Sequence, residues 1–191
     1  MVHGLLDELE GVLDRLAALE ADDLASSDDV ERLHRVQARV EAVTARATAR
    51  WDLHQEWAAD DARSGAAWLA GRCRLPKAQA RRCLRLGRTM RDLTLVGDAW
   101  LAGDIGAAQV TAIGALRNVR TSQAVRRDEA MLVGFARDLW FDDLRQALDY
   151  WRQRNDPDGS EQDQRRLLEQ RRLDLSQTST ARGGSTPTST P

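Results

Sequence analysis

Apolar residues recur every three or four positions along most of this 191-residue chain, the spacing that places side chains on one face of an α-helix. The clearest case is the segment 29–59, whose apolar stripe consists of Leu33, Val36, Val40, Val43 and Ala47. Such a stripe is typical of a helix packed lengthwise on another, and the leucine-rich segment 4–20 offers a partner. No convincing alternation of apolar and polar residues appears before the C-terminal end. The sequence therefore predicts an all-α, multi-helix bundle with a long N-terminal helical hairpin.

The predicted helices form one domain over residues 1–175. Within it we expect an acidic helical hairpin (1–60), a compact helical core (64–154) and a C-terminal helix (160–175). The individual helices are expected near 4–20, 29–59, 64–70, 76–90, 93–102, 106–118, 122–138, 141–154 and 160–173. Thirteen of the sixteen residues 176–191 are Ser, Thr, Gly or Pro, so this tail has too little apolar surface to fold and is expected to be disordered.

The formal net charge of −2 hides a strong division along the chain. Residues 1–61 carry 15 acidic and 6 basic side chains, whereas residues 62–91 carry 9 basic side chains and no acidic one. The remaining residues, 92–191, carry 15 acidic and 13 basic side chains. The overall balance therefore says little about any one face of the molecule.

The basic block coincides with a predicted helix-turn-helix-like unit. On a helical wheel, Lys77, Arg81, Arg85 and Arg88 fall within about 80° of one another, and Arg72 and Arg74 extend this strip in the preceding turn. A helix, a short turn and a second helix with a basic face is the layout of many DNA-binding proteins. Guanidinium groups suit phosphate oxygens and guanine edges because their donors form a planar fork. The candidate nucleic-acid-binding residues are therefore Arg72, Arg74, Lys77, Arg81, Arg85 and Arg88.

Two observations favour a plainer interpretation of the same strip. The acidic hairpin offers enough carboxylates to neutralise the arginines within the fold, as in a helical scaffold or oligomerisation domain. The chain also lacks the strongly basic balance of most nucleic-acid-binding domains. A weak repeat bears on the choice: WLAG occurs at 68–71 and at 100–103, each time before a turn and a helix, but only the first unit is rich in arginine.

Other classes of function have little support in the sequence. The N-terminus resembles no signal peptide, and no run is long and apolar enough for a membrane span, so we expect a cytoplasmic protein without a membrane partner. Cys73 and Cys83 lack the spacing of a zinc or redox site and are expected to be buried, reduced thiols. The histidines lie far apart, and no P-loop, nucleophile elbow or dinucleotide-binding motif occurs. We therefore expect no catalytic residues, metal, cofactor or small-molecule substrate.

Three stretches resemble the domain of unknown function 222, an α-helical family abundant in high-GC Gram-positive bacteria. They are AAWLAGRCRLPKAQAR from residue 66, GDIGAAQ from residue 103 and NDPDG from residue 155. The resemblance covers about residues 5–178. It implies relatives that are commonly fused to a C-terminal HNH nuclease module, in which a histidine base and a metal ion cut a phosphodiester.

The sequence departs from that pattern after residue 178, where the Ser/Thr/Gly/Pro tail replaces any nuclease module and no histidine follows His54. No nuclease residue can therefore be transferred, and we expect a truncated or frameshifted relative. The leading expectation is a non-catalytic helical module that contacts nucleic acid through the basic strip. The alternative is a helical scaffold or homo-oligomerisation domain with no nucleic-acid role.

Overall fold

The computed structural model of the protein describes residues 2–157, and this part contains nine α-helices, two short 3₁₀ turns and no strand. The predicted all-α fold is therefore confirmed. The helices are α1 (Val2–Ala17), α2 (Ser27–Leu53), α3 (Gly65–Arg72), α4 (Lys77–Asp92), α5 (Thr94–Ala102), α6 (Ala107–Gly114), α7 (Ser122–Arg127), α8 (Glu129–Asp138) and α9 (Phe141–Asn155). The 3₁₀ turns cover Ala21–Leu24 and Glu56–Asp60. The helix predicted over 160–173 and the tail 176–191 lie outside the described residues.

Three of the helices predicted after residue 28 have clearly different boundaries in the structure. Helix α2 ends at Leu53 rather than at residue 59, because Gln55 adopts the left-handed conformation with φ of 55° and the chain turns there. The segment 122–138 divides into α7 and α8 at Asp128, whose φ of −97° and ψ of 8° interrupt the helix. The helix predicted over 106–118 ends at Gly114, and the remaining helices between residues 64 and 155 lie within two residues of their predicted positions.

The hydrophobic core lies among α2 and the helices from α4 to α9. At its centre Trp100 of α5 is 1% exposed, and Leu93 and Ile113 are fully buried. Buried polar groups fix the surrounding elements: the Glu129 carboxylate accepts a hydrogen bond of 3.0 Å from the backbone N–H of Val96 in the first turn of α5. That N–H group has no acceptor within its own helix, so the Glu129 carboxylate serves as its acceptor. This hydrogen bond joins the start of α8 to the start of α5 inside the core.

Helix α2 packs on the body of the protein through alanine rather than through its larger side chains. Ala42, Ala45 and Ala49 are buried, and α4 approaches them closely at Gly87. A Cβ atom on Gly87 would lie 2.5 Å from the carbonyl oxygen of Ala45 and 2.6 Å from the Cβ of Ala49. The two helices can approach this closely only because small residues, glycine on α4 and alanine on α2, occupy the contact.

The predicted lengthwise seam of the long helix is therefore only partly correct. Its large side chains remain 38–50% exposed on the other side of α2, namely Leu33, Val36, Val40 and Val43. Helix α1 lies beside them, with Leu6 and Leu9 across a cleft from Val36 and Val40. Because α1 contributes no buried residue, it covers this stripe incompletely.

Candidate nucleic-acid interface

Helices α3 and α4, joined by the turn 73–76, form the predicted helix-turn-helix-like unit. Ser64 caps α3 by accepting a hydrogen bond of 3.2 Å from the backbone N–H of Ala67. Pro76 immediately precedes α4, where its fixed φ suits the start of a helix. A small apolar cluster, separate from the main core, joins the two helices through Leu69, Ala80 and Leu84. The apolar half of the unit is thus internal.

The turn contains a strained backbone position at a basic residue. Arg74 has φ of 54°, in the left-handed region that side chains with a Cβ rarely occupy. This conformation turns the chain between α3 and α4 and leaves the Arg74 side chain exposed. Strained positions of this kind concentrate at functional sites.

All six residues predicted for the basic strip are exposed, as the helical wheel indicated. They follow the outer side of the unit, from the end of α3 through the turn and along α4. Sequence reasoning missed Arg82, which is also exposed and contributes a further cation to α4. On the wheel Arg82 lies outside the narrow predicted arc, and its exposure among the described residues is seen only in the structure.

Acidic residues neutralise only the two ends of the strip. At the start, Arg72 lies 3.6 Å from the Asp60 carboxylate, and at the far end the Arg88 guanidinium lies 2.9 Å from the Asp52 carboxylate. Within residues 2–157, five cations between these ends have no ion pair, namely Arg74, Lys77, Arg81, Arg82 and Arg85. We call these five residues the cationic face.

The arginines are not needed to build a helix-turn-helix of this outline. Helices α5 and α6 form a second such unit, whose turn contains Gly103 in the left-handed conformation with φ of 83°. Its segment 105–116 contains no charged side chain. The fold therefore tolerates a unit without basic residues, and the cationic face of α4 is an addition to the fold.

Other acidic groups of the body serve the fold. Asp156, in the NDPDG segment, is 5% exposed and accepts hydrogen bonds from Arg120 (Nε, 2.7 Å) and Asn118 (Nδ2, 2.7 Å). Asp128 accepts hydrogen bonds from Arg127 at 2.7 Å and from the Trp151 indole at 2.9 Å. These bonds, with the Arg127 charge, lower the pKa of Asp128 to about 2.

Both cysteines are free thiols, as expected, but their predicted burial is wrong for Cys73. Cys73 ends α3 and is exposed in the turn, whereas Cys83 is half-buried on α4. Among residues 2–157, no three histidine, cysteine or acidic side chains gather where a metal ion could be held. No helix in the same range has both the length and the apolar character needed to cross a membrane.

Comparisons with known proteins return a family and no individual relative. No curated protein and no solved structure matches the chain. One family profile matches residues 27–184, which includes α2 to α9 and therefore the whole helix-turn-helix-like unit. The chain belongs to the family described as a domain of unknown function (DUF222).

Proposed function

We propose that this protein is a non-catalytic cytoplasmic module that binds double-stranded nucleic acid through the cationic face of α3 and α4. The observation that carries this proposal is the row of five exposed cations without an ion pair in the described part of the chain. Among residues 2–157, Arg72 and Arg88 at the ends of the strip pair with carboxylates, whereas these five cations do not.

The chemistry of the cationic face suits phosphate. Four of its five members are arginines, whose planar donors bind phosphate oxygens in pairs. Mutual repulsion among unpaired cations costs free energy, and a polyanion relieves that cost while releasing its own counterions. Binding of this kind depends on charge and spacing, and it needs no deep pocket.

The position of the cations favours a duplex over a single strand. Helix-turn-helix proteins place the N-terminal part of their second helix in the major groove, and the first turns of α4 expose Lys77, Gln79, Arg81 and Arg82. Arginine and glutamine are the side chains that read guanine and adenine edges there. In contrast, no exposed aromatic side chain occurs along α4 to stack on single-stranded bases.

The family resemblance is consistent with such a role. In relatives that carry an HNH nuclease module, a non-catalytic domain that holds a duplex would position the nuclease on its substrate. We propose that the helical domain of this chain has the same holding function.

The test is fluorescence anisotropy of a labelled DNA duplex titrated with the protein at low salt. We expect Arg81→Glu/Arg85→Glu to weaken binding at least about a hundredfold, because it removes two phosphate contacts and adds two repulsive charges. The matched control is Arg126→Glu/Arg145→Glu, which makes the same change of charge at exposed positions on α7 and α9.

Equal losses in the two variants would show that only the overall charge matters. Absence of binding by the unmodified protein, with a loss of helical stability in Arg81→Glu/Arg85→Glu, would support the scaffold alternative. Circular dichroism of each variant separates a folding defect from a binding defect.

A further inference from the structure

Residues outside the cationic face form an apolar groove between α2, α4 and α5. Its volume is about 510 Å³, and its apolar walls include Val43, Leu53, Met90 and Leu101. Val43 and Leu101 also line the cleft between α1 and α2, so the groove continues into the partly exposed stripe of α2. We call this surface the α2 groove. Val43 and Leu53 in this groove are each 50% exposed, which makes the groove a candidate contact surface for a partner.

The polar rim of the α2 groove is mainly basic. Arg46 and Arg50 of α2 and Arg91 of α4 line it, with Asp98 as its acidic member. Arg46 and Arg50 are exposed and make no ion pair within the described residues. Over residues 32–50, α2 carries five arginines and one acidic residue, Glu41. The partner should therefore be both apolar and acidic.

Helix α1 has both properties. Its apolar stripe spans about 140° of a helical wheel, which is wider than the part of α1 that contacts α2. The stripe consists of Leu5, Leu6, Leu9, Val12, Leu13 and Leu16, and Leu19 continues it in the turn that follows α1. Leu5, Leu6 and Leu13 are more than 50% exposed. Glu8 and Glu10 lie on either side of this stripe, and no acidic residue of α1 has an ion pair among residues 2–157. α1 has four acidic residues and one arginine.

We propose that two copies of this chain form a dimer in which α1 of each copy lies in the α2 groove of the other. The lengths agree, since Val43 to Leu53 of the groove and Leu5 to Leu16 of α1 each span about 15 Å of helix. The exchange is reciprocal, so it closes at two copies. Each copy's own α1 remains beside Val36 and Val40, and the second α1 lies next to it.

The surface available matches this partner. Large apolar side chains on both surfaces are 50–64% exposed, namely Leu5, Leu6 and Leu13 of α1 and Val43 and Leu53 of the α2 groove. The reciprocal exchange would cover both sets in each copy. An anionic membrane surface is disfavoured because the same face carries the acidic α1. The dimer does not depend on nucleic-acid binding, because the α2 groove and the cationic face share no residue.

The test is the molar mass of the protein by light scattering over a micromolar concentration series. We expect the mass to rise from 21.3 kDa toward twice that value. Arg46→Glu/Arg50→Glu and Glu8→Arg/Glu10→Arg should each weaken the dimer at least about tenfold, because each places like charges across the interface.

Mixing the two variants provides the decisive readout. In a mixed dimer both grooves face an α1 of opposite charge, so the mixture should recover the dimer that neither variant forms alone. Arg126→Glu/Arg145→Glu is the matched control and should dimerise like the unmodified protein. A monomer at every concentration would overturn the proposal, and so would a dimer that is unaffected by the variants or is not recovered on mixing.

Discussion

Arg74 combines an exposed positive charge with a backbone conformation that costs free energy. A left-handed conformation costs a residue with a Cβ about 1 kcal/mol, whereas glycine adopts it freely. We expect Arg74→Gly to leave the free energy of unfolding unchanged or to raise it by up to about 1 kcal/mol, as measured by urea denaturation. The same variant should bind duplex DNA more weakly, since it removes a cation.

Unchanged or higher stability together with weaker DNA binding in Arg74→Gly would show that Arg74 serves binding and not folding. A loss of stability greater than about 1 kcal/mol in Arg74→Gly would show that the guanidinium makes a structural contact, and the assignment of Arg74 to the cationic face would then be wrong. Arg74→Lys provides the comparison, because it keeps both the charge and the strain.

Asp128 should make the stability of the protein depend on acid pH. Its folded pKa of about 2 lies below the ordinary value of 3.8, so the stabilisation is complete above about pH 4 and is lost as the pH falls toward 2. We expect Asp128→Asn to cost about 1 kcal/mol near neutral pH by weakening the bonds from Arg127 and Trp151. The difference between the two proteins in urea denaturation should close between about pH 4 and pH 2. A difference that stays constant with pH would contradict this role.

At the scale of elements, the close contact of α2 with α4 depends on Gly87. Gly87→Ala introduces a Cβ atom against the backbone of Ala45, which cannot rotate away. Although alanine favours a helix over glycine by about 1 kcal/mol, we expect a net loss of about 2 kcal/mol in the free energy of unfolding.

Gly71→Ala is the matched control for this substitution. Gly71 lies in α3, and a Cβ atom there would meet nothing within 4 Å. We expect this variant to gain up to about 1 kcal/mol. If thermal and urea denaturation show that both variants gain stability, the α2–α4 contact is looser than described.

The elements also show which parts of the structure the sequence could predict. Helical periodicity placed α3, the turn and α4 correctly, and it identified six exposed cations, because exposure on an amphipathic helix follows from spacing alone. It did not identify which apolar face of α2 is buried. The large residues of the seam suggested burial, yet the alanines pack inside, because Gly87 on α4 offers them a close neighbour. Contacts between distant segments decide such questions, and a single sequence does not display them.

At the scale of the whole molecule, the structure answers in part whether the acidic hairpin neutralises the basic block. Asp52 and Asp60 pair with Arg88 and Arg72 at the ends of the strip, and the middle remains unpaired within the described residues. The acidic α1 lies instead beside the α2 stripe. The two proposed partners, a nucleic acid and a second copy of the chain, thus use separate surfaces of one fold.

The salt dependence of duplex binding tests the role of the cationic face most directly. If its five cations contact phosphates, the logarithm of the association constant should fall against the logarithm of salt concentration with a slope of about −4.5 per chain bound. Arg81→Gln/Arg85→Gln should reduce the steepness by about 2. A slope near zero, or the same slope in both proteins, would contradict nucleic-acid binding by this face.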